Sequence, residues 1–181
     1  MPQEKISFSN ILILLSFIAT LAAIYNSNLY QFGMNSYFFD QEIYHIWVIQ
    51  FFTSQFLHGS FLHFLSNAFF IFYFWNILEN TIGKEKMILF FVFNSIFIGL
   101  GLTFLNAGNT VGISGFALAL LTYYTLLLWK KWSPEYTGGI TAIAINILIG
   151  FIPWISFFGH FLGLIFWIIF FIFQSQHFRK I

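Results

Sequence analysis

The sequence predicts an all-α membrane protein, a compact bundle of six transmembrane helices, and three observations carry that prediction. Hydrophobic residues fill 59% of the 181 positions and charged residues only 7%, with a mean hydropathy of +0.83, far from the balance of a water-soluble domain. The apolar residues form long continuous runs, not the residue-by-residue alternation of barrel strands. In hydrocarbon every backbone N–H and C=O must find a partner within the chain, so continuous runs become helices. Pro2, Pro134 and Pro153 stand outside or at the edges of these runs, as helix interiors require.

The first run is Ile11 to Tyr25, preceded by Lys5. A cleaved signal peptide is its rival reading, but Ala22-Ala23 lacks an A-x-A pattern and bulky Tyr25 follows. The segment from Asn26 to about Gln55 is too apolar for a free linker. Tyr37, Phe38, Phe39, Ile43 and Trp47 mix there with Asp40, Glu42 and His45, which predicts a segment lying along the outer interface. The second run is Phe56 to Leu78, the third Met87 to Leu105 and the fourth Ser114 to Leu128. The fifth, Gly139 to Phe151, is shorter than the roughly 20 residues that cross about 30 Å of hydrocarbon. It is therefore expected to reach back toward Pro134 or to lie in thinned membrane. The sixth is Phe157 to Phe173. No internal repeat or low-complexity linker interrupts them, so residues 1–181 read as one domain.

Charge sets the orientation. Lys5, the pair Lys84 and Lys86, the pair Lys130 and Lys131, and Arg179 with Lys180 fall on one side if six helices alternate, and the opposite loops carry no Lys or Arg. By the positive-inside rule both termini are cytoplasmic. Trp129 and Trp132 flank one lysine pair and Trp154 lies near the other face, where amphipathic rings favour the interface. Glu79 reads as an interfacial charge, His177 as part of a solvated tail and His45 as a loop residue. The chain has no cysteine, which removes disulfides, thiolate chemistry and cysteine-ligated zinc. A formal net charge of +1 offers no footprint for nucleic acid.

The same alternation brings residues distant in sequence to a common depth. His58 and His63 fall near the outer end of the second helix, with Asn67 about a turn further in; Ser114 and His160 open the fourth and sixth helices on that side. Ionisable and polar groups in a membrane are costly, and by default they face the bundle interior and mark function. His63 and Asn67 are four apart and share a helix face. A serine that attacks a carbonyl needs a base within hydrogen-bond reach, and imidazole suits proton transfer near neutrality. Ser114 and His160 are the candidate nucleophile and base. Small residues at Ala117 and Gly163 would let the two helices approach. Gly112 and Gly115 would let a substrate backbone near the hydroxyl, and the unpaired N–H groups of the helix start would face an oxyanion. Taken singly, each feature has a plainer reading: a serine as a helix cap, a histidine bonding a carbonyl, an asparagine joining helices. Their convergence at one depth favours chemistry.

With HGSFLHFLSN at 58–67, Gly112-Ile113-Ser114-Gly115, and His160 followed by Gly163, the chain resembles the rhomboid family of intramembrane serine proteases across its whole length. The resemblance implies a Ser114/His160 dyad without a third acid, an oxyanion site of His63, Asn67 and the Ser114 backbone N–H, and no metal or cofactor. His58 falls where the family organises the first loop and structural water. It implies substrates that are single-span membrane proteins, entering from the lipid bilayer and cut near the outer face, and a location in a bacterial inner membrane. A monomer or weak oligomer is expected. The chain departs from the family pattern at three places: Ile49-Gln50 replace a Trp-Arg pair, Glu79, Thr81 and Gly83 keep only part of a cytoplasmic signature, and Leu118 replaces an aromatic four residues after the serine.

Three rival functions are weighed. A catalytically silent relative acting as a membrane-protein binder or chaperone would be favoured by a missing Ser or His, and both are present; the altered Leu118 is its only support. A small transporter would spread polar residues toward the midplane or break its helices, whereas these cluster at one end. A processing enzyme dedicated to one class of C-terminal anchor would share every residue named above.

Overall fold

Ser60, Ile113 and Ser156 each stand immediately before or at the start of a helix, and the three helix starts they mark face one another in the folded chain. The computed structural model describes residues 7–152 and 155–178. Pro2, Lys5, Pro153, Trp154, Arg179 and Lys180 lie outside the described residues. In order the helices are α1 (Phe8–Tyr25), α2 (Tyr37–Asp40), α3 (Tyr44–Phe56), α4 (Phe61–Ile82), α5 (Lys84–Phe104), α6 (Ser114–Lys130), α7 (Tyr136–Ile149) and α8 (Phe157–Phe178), with a 3-10 turn at Ser27–Phe32. Among the described residues the only bridge of β type is the isolated pair Met34 and Thr110.

Among the described residues three helices, α1, α4 and α5, are long and apolar enough to cross a membrane, while α7 and the Phe157–Ile172 part of α8 are apolar but shorter. The fifth run does reach back toward Pro134, since α7 begins at Tyr136. The second does not begin at Phe56. That residue ends α3, and the Ser60 hydroxyl caps α4 by accepting from the His63 N–H at 3.1 Å. The segment from Asn26 to Gln55 is helical where an interfacial loop was expected. Its apolar and polar residues serve the faces of α2 and α3, not an extended alternation.

Helix α6 occupies the centre, because from Gly115 to Tyr123 every residue is buried and a helix apolar on all sides has neighbours on all sides. Phe116, Trp75, Tyr123 and Trp167 are among the largest fully buried side chains of the core around it. The closest approach is to α8. A Cβ on Gly163 would lie 2.0 Å from the Gly115 carbonyl oxygen, and one on Gly115 would lie 2.6 Å from the Gly159 carbonyl oxygen. Only glycine fits such backbone contact. Gly163 was expected at this contact; Ala117 was expected there too, but it lines the neighbouring cavity instead, because Gly115, one residue after the serine, and Gly159 take the contact face.

Helix α1 is stapled to α4 by a carboxylate. The Trp75 indole N–H donates to Glu79, and the Ser7 hydroxyl donates to the same oxygen at 3.2 Å. Glu79 is thus more than an interfacial charge, since it joins α4 to the start of α1, 72 positions away at Ser7. The Asn26–Gln55 segment is anchored by Gln50, fully buried, whose Nε2 donates to the Gly33 carbonyl at 2.6 Å and the Gln31 carbonyl at 2.9 Å. Met34 and Thr110 exchange backbone hydrogen bonds of 2.8 Å. Those bonds tie the same segment to the stretch of chain leading into Ser114.

Candidate active site

The turn before α6 places Ser114. Gly112 has φ of +116°, a backbone conformation that favours glycine, and its N–H donates to the Ser54 carbonyl at 2.8 Å. A Cβ there would lie 2.7 Å from Cε1 of His63, so the imidazole lies directly over this turn. Ile113 is the cap residue and Ser114 the first residue of the helix, with no side-chain capping bond. The plain reading of Ser114 as a helix cap does not hold.

His160 opens α8. Ser156 caps that helix by accepting from the Gly159 N–H at 3.1 Å, and the Thr110 hydroxyl donates to Ser156 at 3.3 Å, which links the serine turn to the histidine helix. The His160 ring is buried and its Nδ1 lies 2.9 Å from the Asn146 carbonyl oxygen in α7. A carbonyl only accepts, so Nδ1 carries the proton and Nε2 holds the lone pair.

One cavity of about 740 Å³ collects these groups: Ser114, His160, His63, Asn67, Ala117, Leu118 and Asn146 all line it, with Gly59, Ser60, Ser66 and apolar neighbours. His63 and Asn67 come from successive turns of one face of α4. Asn67 is buried, and its side-chain Nδ2 has no hydrogen-bond partner among the described residues. Ser114 and His160 face the same cavity, but the described hydrogen bonds include none between them. Leu118, which stands in place of an aromatic, lines the cavity beside His160. Asn146, Ser156 and Gly159 were not anticipated. Their contribution is through backbone carbonyls and a cap, which leave no residue-type signature in sequence, although Ser156 four before His160 fits a helix-start pattern.

His58 sits apart from this cavity in the connection between α3 and α4, ahead of the α4 span, and is fully buried. Its Nδ1 lies 3.1 Å from the Thr20 hydroxyl and 3.2 Å from the Phe56 carbonyl oxygen, and its own carbonyl accepts from the Tyr30 hydroxyl at 3.0 Å. Burial, helped by the neighbouring His63, pushes the His58 imidazole down to about 3, so the ring is neutral near pH 7. Its edge meets the His63 ring with centroids 5.1 Å apart. Among the described residues no cluster of metal-binding side chains occurs.

An all-helical integral membrane protein with a largely apolar cavity, into which α4, α6 and α8 bring a few polar side chains, is the class that fold and site define. The sequence model of the Rhomboid domain matches residues 45–176. The chain belongs to the rhomboid family. It is similar to the RHOMBOID-like protein 6, mitochondrial, of Arabidopsis thaliana, with 31% identity over 122 residues, covering 62% of this chain and 39% of that protein. It is also similar to Rhomboid protease GlpG of Yersinia pestis (strain Pestoides F), 31% identical over 74 residues, which cover 41% of this chain and 27% of that one. The same protein of Yersinia pseudotuberculosis serotype O:3 (strain YPIII) matches with equal figures. The matched stretches span well under half the length of each relative.

Proposed function

We propose that this protein is an intramembrane serine endopeptidase that cleaves membrane-protein segments, with Ser114 as nucleophile and His160 as general base. The observation that carries the reading is the sharing of one cavity by Ser114, His160, His63 and Asn67, which come from three helices. The serine Oγ attacks the peptide carbonyl carbon while its proton passes to Nε2 of His160, and that proton then goes to the departing amine. Water, activated by the same nitrogen, adds to the acyl-enzyme and releases the acid. Asn67 Nδ2, buried without a partner, together with His63 and the Ser114 backbone N–H, receives the oxyanion.

In this reading α1, α4, α5, α6, α7 and α8 make six crossings and the cavity opens toward the outer face of a bacterial inner membrane; the position of the exposed lysines of α5 and α6 supports a cytoplasmic location for them and for both termini. The enzyme is a single domain over residues 1–181, acting as a monomer or weak oligomer. Its substrates are single-span membrane proteins that enter from lipid. One observation favours a silent binder instead: Ser114 and His160 are not hydrogen-bonded to each other here. Catalytic hydrogen bonds commonly tighten only with substrate in place, so the protease remains the better reading.

The test is cleavage of a single-span reporter by purified protein in proteoliposomes. Wild-type protein is expected to release two fragments cut near the outer surface, and Ser114→Ala and His160→Ala are each expected to lose about 10³-fold or more in rate. A wild-type protein that cuts no reporter, or a Ser114→Ala protein that cuts as fast, overturns the proposal.

A further inference from the structure

No residue of helix α7 is fully buried, yet it carries the partner of a buried imidazole. It packs on α6 and α8 at three tight points. Near its inner end a Cβ on Gly139 would lie 2.3 Å from Oγ1 of Thr125 in α6; Thr125 is β-branched, and its hydroxyl is already committed to the Leu121 carbonyl at 2.8 Å. At its outer end a Cβ on Gly150 would lie 2.9 Å from the Phe157 Cα. Between them the Asn146 carbonyl accepts from His160 at 2.9 Å, while the Gly150 N–H approaches the same oxygen less closely, at 3.3 Å. The backbone of one helix therefore holds the ring that begins another.

We infer that α7 is the positioning element of the general base: the Asn146 carbonyl accepts a hydrogen bond from the Nδ1–H of His160, fixes the tautomer whose lone pair is on Nε2, and aims that nitrogen into the cavity that holds Ser114. This inference rests on the protease reading above. In a dyad with no carboxylate, the tautomer has to be set by some other acceptor, and of the groups around this ring it is the carbonyl of α7 that meets Nδ1. The seating of α7 against α6 then controls the rate of the chemical step, not only the stability of the bundle. A helix displaced by about 1 Å would leave the ring free to rotate or to change tautomer, with a loss in rate of up to about a hundredfold.

The experiment combines imidazole ¹⁵N resonances of histidine-labelled protein in detergent micelles, assigned by difference from His160→Gln protein, with reporter kinetics on wild type and Gly139→Leu. For wild type the expected result is a protonated Nδ1 and an unprotonated Nε2 at His160 above pH 7.5. Gly139→Leu, which pushes α7 off Thr125, is expected to show a mixed tautomer and a kcat lowered at least tenfold with KM within about twofold. A wild-type ring protonated at Nε2 overturns the inference even if Gly139→Leu fails to fold. A folded Gly139→Leu protein that keeps both kcat and tautomer overturns it as well. If wild type cleaves the reporter while His160 is protonated at Nε2, the positioning role falls and the protease stands. If wild type cleaves nothing, the positioning role falls together with the protease whichever tautomer is seen.

Discussion

Asn67 carries an amide N–H with no acceptor, deep in a chain where unpaired polar groups cost about 1–3 kcal/mol each. In the proposed mechanism that donor is the one that meets the oxyanion, and unlike the equally unpartnered Asn94 it lines the cavity that holds Ser114. Its neighbour in the cavity wall is the Gly112 turn, whose hypothetical Cβ would sit 3.6 Å from Nδ2, which puts the donor close to the residues leading into Ser114. Asn67→Ala is expected to lower kcat by about 10²–10³ with little change in KM, as loss of an oxyanion donor does. Steady-state kinetics with the reporter checks it; a change confined to KM would make Asn67 a binding residue. Residues of this kind were legible in sequence, because a four-residue spacing places His63 and Asn67 on one helical face without any tertiary information. What sequence hid was the partner of His160. A backbone carbonyl is the same in every residue, and Asn146 announces nothing by being asparagine.

At the scale of elements, the glycine contact between α6 and α8 decides whether the cavity closes. The chain was legible here in part: the spacing from His160 to Gly163 pointed to close helices, but the contact face runs through Gly115 and Gly159, not Ala117. Ala117 stands two residues after Gly115, about 200° around the helix, so the two cannot share one contact face. Gly163→Ala forces a methyl against the Gly115 carbonyl and is expected to cost about 1–3 kcal/mol, with reporter activity falling in step. Gly138→Ala is the matched control, since nothing lies within 4 Å of its Cβ and its φ is not in the positive range; it is expected to be neutral or stabilising by about 0.5–1 kcal/mol. Thermal unfolding in detergent separates the two. The start of α4 shows the limit of hydropathy reading. The apolar run continues through Phe56 and Leu57, yet Ser60 sets the helix start, because a cap hydrogen bond outranks hydrophobicity within one turn.

For the whole molecule, composition and the continuous apolar runs were enough to foresee an all-helical integral membrane protein, whereas its buried polar residues, Ser9, Asn94, Ser95 and Thr125 among them, are spread over several helices and not confined to the cavity. The helices between Asn26 and Gln55 escaped that reading, since α2 and α3 are too short and mixed in character to show a period. So did Gln50, which departs from the family's Trp-Arg pair and nevertheless anchors that segment through two carbonyls. Three groups of residues, distant in the chain, thus meet around one cavity, and the account stands or falls on whether its serine is nucleophilic. The direct measurement is reaction of the detergent-purified protein with a fluorophosphonate, followed by mass spectrometry of the adduct. A single adduct on Ser114, strongly reduced in His160→Ala protein, is the predicted result. An unreactive wild type, an adduct on another residue, or labelling that persists in Ser114→Ala would contradict it.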